Sequence, residues 1–196
     1  PGSRWFSKLN SVGRPLATVD LRVADPDGRE LPTGETGEIL ARGPQIMKGY
    51  WNQPETTARA LDGGFYHTGD AGWLDEDGFL HIAGRTKEMI ITGAENVYPI
   101  ETENALIQHP AVAQCAVLGL PDPTWGERVH AVVALAPGAS ATQAELIAFC
   151  RARIAGYKCP KSITLRSDEL PLSATSKIDK IALRRELEAA ETASAT

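Results

Sequence analysis

The sequence predicts an α+β protein with a β-rich first part to about residue 84 and a small mixed lobe after it. Three observations predict this. Before residue 84, strand-sized apolar runs are bounded by Gly, Asp and Pro, and no helical period appears. Past Arg85, strands alternate with helix-length segments that carry their own start signals. Finally, a 196-residue chain with 42% apolar residues can build packed cores without disulfide staples.

The elements follow in order. Ala17–Ala24 is a β-branched and apolar run that stops at Asp25-Pro26-Asp27-Gly28, a strong turn signal. Gly34 and Gly37 bracket a second turn, and Gly37–Arg42 is the next strand. Phe65 and Tyr66 lead into Thr68-Gly69-Asp70, after which Ala71–Leu74 and Phe79–Ala83 pair across Asp75-Glu76-Asp77-Gly78. That turn opens like a calcium loop, yet the later ligands and the closing Glu are missing, so it reads as a hairpin. Met89–Thr92 is a strand and Gly93–Asn96 a turn. Pro99 then occupies the favoured first position of a helix to about His109. Val112–Leu120 and Arg128–Leu135 are strands. Thr142 and Glu145 form a capping box that opens a helix to about Ala155. On it Leu146, Ile147, Cys150 and Ile154 share a face, which makes Cys150 a core residue rather than a nucleophile. Ser162–Arg166 is a last strand, and Ile178–Ala190 a last helix with a frayed polar tail. No internal repeat is present.

Composition removes several functions. With 20 basic and 25 acidic side chains the net charge is -5, which excludes a general nucleic-acid binder. One or two placed cations would still serve a small anionic ligand. Cys115, Cys150 and Cys159 are odd in number and form no CxxC pair, which suits a reducing, cytoplasmic setting. His67, His81, His109 and His130 lie at no zinc-ligand spacing, so no metal site is expected. No apolar run approaches a membrane span of about 18 residues. Pro1 stands at the start with no signal-like segment, consistent with processing or with a cut from a longer chain.

Four segments are costly for folding and useful for ligands. In Tyr66-His67-Thr68-Gly69-Asp70 the glycine admits a ligand to the backbone, and the carboxylate can accept two hydroxyls, as a ribose diol requires. Its bland reading is a turn with a solvated Asp. In Gly84-Arg85-Thr86-Lys87-Glu88 the arginine fork suits a phosphate or ribose and Lys87 a pivot, against a plain linker. Thr92-Gly93-Ala94-Glu95-Asn96-Val97-Tyr98-Pro99 offers bare backbone to a thin ligand, or is simply a hairpin turn. Pro171-Leu172-Ser173-Ala174-Thr175-Ser176-Lys177 ends in one lysine before a helix; alone, that lysine reads as a surface residue.

Taken in order with Ser11-Val12-Gly13-Arg14-Pro15, Gly34-Glu35-Thr36-Gly37-Glu38 and Lys48-Gly49-Tyr50-Trp51, these segments resemble the C-terminal part of the adenylate-forming superfamily. That superfamily holds acyl-CoA synthetases, peptide-synthetase adenylation domains and luciferases. The run Gly84–Ile91 followed by Thr92–Pro99 is similar to the acyl-CoA synthetase branch, that of fatty-acid–CoA ligases. The resemblance implies that residues 1–84 are the barrel-like, β-rich end of a large AMP-binding N-terminal domain. Residues 85–87 would be a hinge and 88–196 the C-terminal lobe. It implies an ATP-dependent acid–CoA ligase that makes acyl-adenylate, then acyl-CoA, releasing pyrophosphate and AMP. The partners implied are a fatty or related carboxylic acid, ATP, coenzyme A and Mg2+. Two alternatives are an adenylation domain that loads a carrier protein and a non-catalytic nucleotide- or CoA-binding lobe.

The roles implied are specific. Asp70 holds the ribose hydroxyls of ATP and of the adenylate, and Arg85 contacts the ribose or phosphates. Lys87 matches the hinge, and Lys177 the lysine that bridges phosphate and carboxylate oxygens during adenylation. Gly93 lines the pantetheine path. Trp125 falls near the CoA nucleotide or is an ordinary aromatic; Lys158, in Tyr157-Lys158-Cys159-Pro160-Lys161, faces CoA phosphates or solvent. Ser176 stands where the family has Gly, and it resists positive φ next to the lysine. Ala94 adds a methyl where a second Gly is common. No phosphate loop with a lysine lies within the 196 residues, so the chain alone is expected to be inactive.

Overall fold

Turn chemistry sets the first sheet. The computed structural model describes residue 8 and residues 10–194, the last four as helix backbone only. Strands β1 (Asp20–Ala24), β2 (Gly37–Arg42), β3 (Tyr66–Leu74) and β4 (Leu80–Arg85) make one antiparallel sheet in chain order. Between β3 and β4 the Asp75 Oδ1 accepts the backbone N–H groups of Asp77 and Phe79, each at 3.0 Å. Its Oδ2 takes Lys8 Nζ at 2.7 Å and lies 3.0 Å from His81 Nε2. The Asp-rich turn therefore closes a hairpin.

Those bonds hold the Asp75 carboxyl well below its ordinary range, Lys8 contributing most and His81 next. A depressed carboxyl stabilises the fold fully above its unfolded pKa, and the contribution is lost as pH falls from there through the folded value. Asp75→Asn is thus expected to flatten the acid limb of a stability–pH curve below about pH 4. An unchanged acid limb would contradict the assignment.

The first part is not all β. Pro54–Ala60 is a helix, here α1, with Pro54 in its first turn, Glu55 at the N-terminal end and Arg59 in the last turn. Seven residues with none buried leave no apolar stripe for periodicity to detect, so Pro54 and the two end charges were the only clue. Strand β3 also begins earlier than the turn residues suggest, taking in Thr68-Gly69-Asp70.

The chain divides into two compact units, the first ending at Lys87 and the second beginning at Glu88. The second is built on a long hairpin, β7 (Val112–Asp122) with β8 (Gly126–Leu135). β5 (Ile90–Thr92) and β6 (Glu95–Val97) form a tight hairpin joined to β8 at Thr92↔Gly126, and β9 (Ser162–Arg166) runs parallel to β8 along His130–Ala134. Both faces of β7–β8 are covered, which explains its unbroken apolar runs. On one face Val117, Val129 and Val133 meet Leu106 of α2 (Pro99–Leu106) and Leu146 and Cys150 of α3 (Gln143–Arg151). On the other, Leu118, Leu120 and Val132 meet Leu183 of α4 (Lys180–Ser194).

Two helix starts follow side-chain caps. Thr142 and Glu145 make both bonds of the capping box. Asp179 Oδ1 accepts from Ile181 and Ala182, so α4 begins at Lys180 rather than Ile178. The stretch expected to fray beyond Ala190 continues as helix to Ser194, and 195–196 lie outside the described residues.

Candidate functional site

The first cluster forms on β2, β3 and β4. Asp70 and Arg85 lie directly opposite each other in the β3–β4 ladder and form an ion pair, Arg85 Nε standing 2.9 Å from Asp70 Oδ1. Asp70 is thus a strand residue with an ion-pair partner, not a turn residue in solvent. The pair is exposed enough for a ligand to compete for either member; Arg85 is 59% accessible. Gly69 beside it has φ +69°, with an Arg85 nitrogen 3.8 Å from where a Cβ would sit. The backbone is held from behind. Thr68 Oγ1 donates to Ile39 O at 2.7 Å, Gly69 N–H donates to Glu38 Oε1 at 3.2 Å, and Glu38 Oε2 lies 2.9 Å from His67 Nδ1. The neighbouring Tyr50 hydroxyl first, and burial next, raise the pKa of Tyr66.

Thr86 Oγ1 donates to Gly69 O at 3.1 Å, tying the start of the Thr86–Glu88 3-10 turn to β3. Glu88 at its other end pairs with Lys180 Nζ at 2.7 Å. Lys87, exposed between them, is the one residue separating an anchor in the first unit from an anchor in the second.

Lys177 closes a small hairpin whose flanks are bridged at Leu172↔Ile178. Ser173 N–H donates to Lys177 O at 2.7 Å and Ser176 N–H to Ser173 O at 2.9 Å. This is a type I turn followed by a left-handed residue, and that residue is Ser176 at φ +58°. The lysine's backbone is pinned and its side chain is exposed. Ser176 adopts the strained geometry, at a cost of about 1–2 kcal/mol that glycine would not bear. Glycine's extra freedom when unfolded offsets about 0.4–1 kcal/mol of that. Ser176→Gly is expected to raise the melting temperature by a few degrees, about 2 °C or more. A fall in melting temperature would count against the strain.

Gly93 and Trp125 come together. Gly93 N–H donates to Trp125 O at 2.7 Å. With φ +66°, Gly93 would place a Cβ only 3.0 Å from the indole, so any other residue would press on the ring and strain the backbone. Trp125 is itself half exposed. Lys158 lies elsewhere, its Nζ bound to Glu101 Oε2 at 2.6 Å and its backbone O accepting from Thr102. It is an ion-paired residue whose carbonyl fastens α2.

Sequence reasoning did not single out Lys180. Its ammonium bridges Glu88 at 2.7 Å and Glu103 at 2.8 Å. Burial opposes the charge, but the carboxylates outweigh it and raise the pKa. Glu103 also accepts Val117 N–H at 2.8 Å. A cleft of about 570 Å³ runs beside this group and is lined by Lys177, Thr175 and Ile178 among others. Cys115 borders it, with its thiol pushed up to about 12 by burial and by Glu103; Cys150, in the core, rises to about 11. Neither is a thiolate nucleophile at neutral pH. Among the described residues no three His, Cys, Asp or Glu side chains converge to hold a metal ion. The Mg2+ that would accompany ATP therefore has no residue assigned to it here. No described helix is long and apolar enough to cross a membrane.

The first unit thus offers an exposed carboxylate–guanidinium pair on β3 and β4, and the second an exposed lysine on a pinned backbone. Comparison with known proteins gives the class. Residues 3–51 match the family model described as AMP-binding enzyme, and residues 101–177 that described as AMP-binding enzyme C-terminal domain. The feruloyl-CoA synthase of an Amycolatopsis species is 48% identical over 178 residues, 91% of this chain and 36% of that protein. The solved amide bond synthetase McbA from Marinactinospora thermotolerans superposes with a TM-score of 0.83 at 40% identity. It is matched over 91% of this chain and 36% of its own. The o-succinylbenzoate CoA synthetase of Bacillus subtilis, solved with its acyl-adenylate intermediate, gives 0.82 at 37% identity, over 93% and 36%. The chain belongs to the adenylate-forming superfamily of AMP-binding enzymes and corresponds to its C-terminal part. It spans about a third of the length of the relatives it matches.

Proposed function

We propose that this chain is the C-terminal share of a cytoplasmic acid–CoA ligase, acting on a fatty or related carboxylic acid. In the first half-reaction a carboxylate oxygen attacks the α-phosphorus of ATP, forming the acyl-adenylate as pyrophosphate leaves. In the second, the CoA thiolate attacks the acyl carbon, and AMP departs with the carbon–oxygen bond electrons. No side chain need become covalently attached, so the residues act by position and charge.

Asp70 accepts the ribose hydroxyls while Arg85, its cross-strand partner, turns its fork toward ribose or phosphate. Lys177 supplies a cation where charge builds between carboxylate and α-phosphate. Gly93 leaves room for the pantetheine arm, Trp125 offers a face to the CoA nucleotide, and Lys158 trades its Glu101 partner for a CoA phosphate. Residues 85–87 form the hinge between 1–84 and 88–196.

The observation that carries this reading is the anchoring around Lys87. Thr86 is fastened to β3 and Glu88 to Lys180, which leaves the exposed Lys87 between the two anchors. The CoA-ligase names of sequence relatives support the acceptor. The amide bond synthetase among the structural neighbours favours a second reading, in which an amine takes the acyl group.

The test compares acceptors. A longer polypeptide carrying this chain should form adenylate from ATP and acid, then transfer the acyl group to free CoA. Transfer only to an amine, or only to a phosphopantetheinylated carrier protein, would replace the CoA reading. The 196-residue chain by itself should release no AMP; acyl-CoA made by it alone would overturn the proposal.

A further inference from the structure

The hairpin that presents Gly93 is poorly held by its sheet. Strand β5 pairs with β8 at a single position, Thr92↔Gly126. The Ile91 N–H, next along β5, meets no backbone partner on β8. Instead it donates to Glu127 Oε2 at 2.9 Å, across 36 residues of sequence. Glu127 Oε1 lies 3.6 Å from Arg184 on α4. The carboxylate occupies the space over Gly119: a Cβ there would sit 2.7 Å from Oε1 and 2.8 Å from the carboxyl carbon. Gly119 is thus a seat for this side chain, and the Gly93–Trp125 bond at 2.7 Å lies two residues further along each strand.

We infer that Glu127 is a positioning residue for the thiol-transfer step: its carboxylate replaces a missing ladder bond and fixes the Gly93 hairpin. The inference rests on the reading that Gly93 serves that step. Glu127 touches neither acid nor nucleotide in this scheme, so adenylation does not depend on it. An aspartate would be too short to span from β8 to Ile91, whereas glutamine keeps an acceptor oxygen of the same reach and loses only the charge toward Arg184.

The experiment uses the intact ligase with Glu127→Ala, Glu127→Gln, Gly119→Ala and the Glu127→Ala/Gly119→Ala double variant. Hydrogen exchange at the Ile91 amide is read beside the two half-reactions. Glu127→Ala should speed Ile91 exchange about tenfold or more. It should also slow thioester formation from supplied adenylate by roughly 10- to 100-fold while pyrophosphate release without CoA stays within about twofold. Glu127→Gln should retain most of both. Gly119→Ala should reproduce the Glu127→Ala lesion, because the new methyl displaces the carboxylate. In the double variant it should add little, since the space is then vacant.

Unchanged Ile91 exchange in Glu127→Ala overturns the clamp. Additive losses in the double variant overturn the seat, and equal loss of both half-reactions overturns the positioning role. Should Glu127→Ala not fold, Gly119→Ala and Glu127→Gln still decide the matter. Failure of the parent reading would look different, because Gly93→Val would then leave thioester formation intact.

Discussion

Lys177→Ala in the intact ligase is expected to slow acyl-adenylate formation a hundredfold or more and to spare thioester formation from supplied adenylate. The lysine's backbone is locked in the Ser173–Lys177 hairpin while its side chain stands in solvent, the arrangement of a cation held ready for a ligand. At about 4 Å and an effective dielectric near 20, one charge pair is worth on the order of 4 kcal/mol. If about 3 kcal/mol of this exists only in the transition state, the loss is roughly a hundredfold. Acetylation of Lys177 removes the same charge and should act alike. Lys87→Pro should produce the reverse lesion. It fixes φ at the one residue between the Thr86 and Glu88 anchors, and on the proposed hinge reading the thioester step then lacks its rotation. Pyrophosphate release without CoA reads the first step; acyl-CoA from synthetic adenylate reads the second. Equal depression of both steps by both variants would return Lys177 to the protein surface and remove the hinge.

Asp70→Ala is expected to cost far more in ATP handling than in folding. The exposed Arg85–Asp70 pair at 2.9 Å is of a kind worth about 0.2–1 kcal/mol, so the melting temperature should hardly move. A carboxylate that accepts both ribose hydroxyls makes two charge-assisted bonds, each worth about 1.5–3 kcal/mol. Losing them should lower kcat/KM for ATP by roughly a hundredfold or more. Asp70→Asn keeps an acceptor and should fall between. Normal kinetics with a large loss of stability would make Asp70 a structural residue of the β3–β4 ladder.

Much of the fold was legible because local signals were complete. The Thr142–Glu145 box and the Asp75–Gly78 hairpin carry their own hydrogen-bond partners within a few residues, and Pro99 sets its own φ at a first helical turn. The long β7–β8 runs read as strands, while their burial on both faces emerged from the helices packed against them. Helix α1 was missed because it buries nothing, and the start of α4 shifted because Asp179 caps with its side chain. The candidate residues were nameable through order and spacing, together with the family resemblance, since Gly69-Asp70, Gly84-Arg85 and Ser176-Lys177 are each short and local.

What the sequence by itself determined is therefore the α+β class and the change of rhythm past Arg85, together with which residues to propose for ligands. Which of them meet was decided only by tertiary structure. Counted back from the hairpin pair Leu74↔Leu80, Asp70 would face Gly84; a register shift between Ala71 and Gly72 brings Arg85 opposite instead. Lys180 reaches Glu88 across 92 residues, and Glu127 reaches Ile91 across 36, with no motif to announce either. Periodicity and capping act over a few residues along the chain. A bulge, or a carboxylate seated over a bare glycine, is settled by packing between strands distant in sequence, where each partner's place depends on all the others.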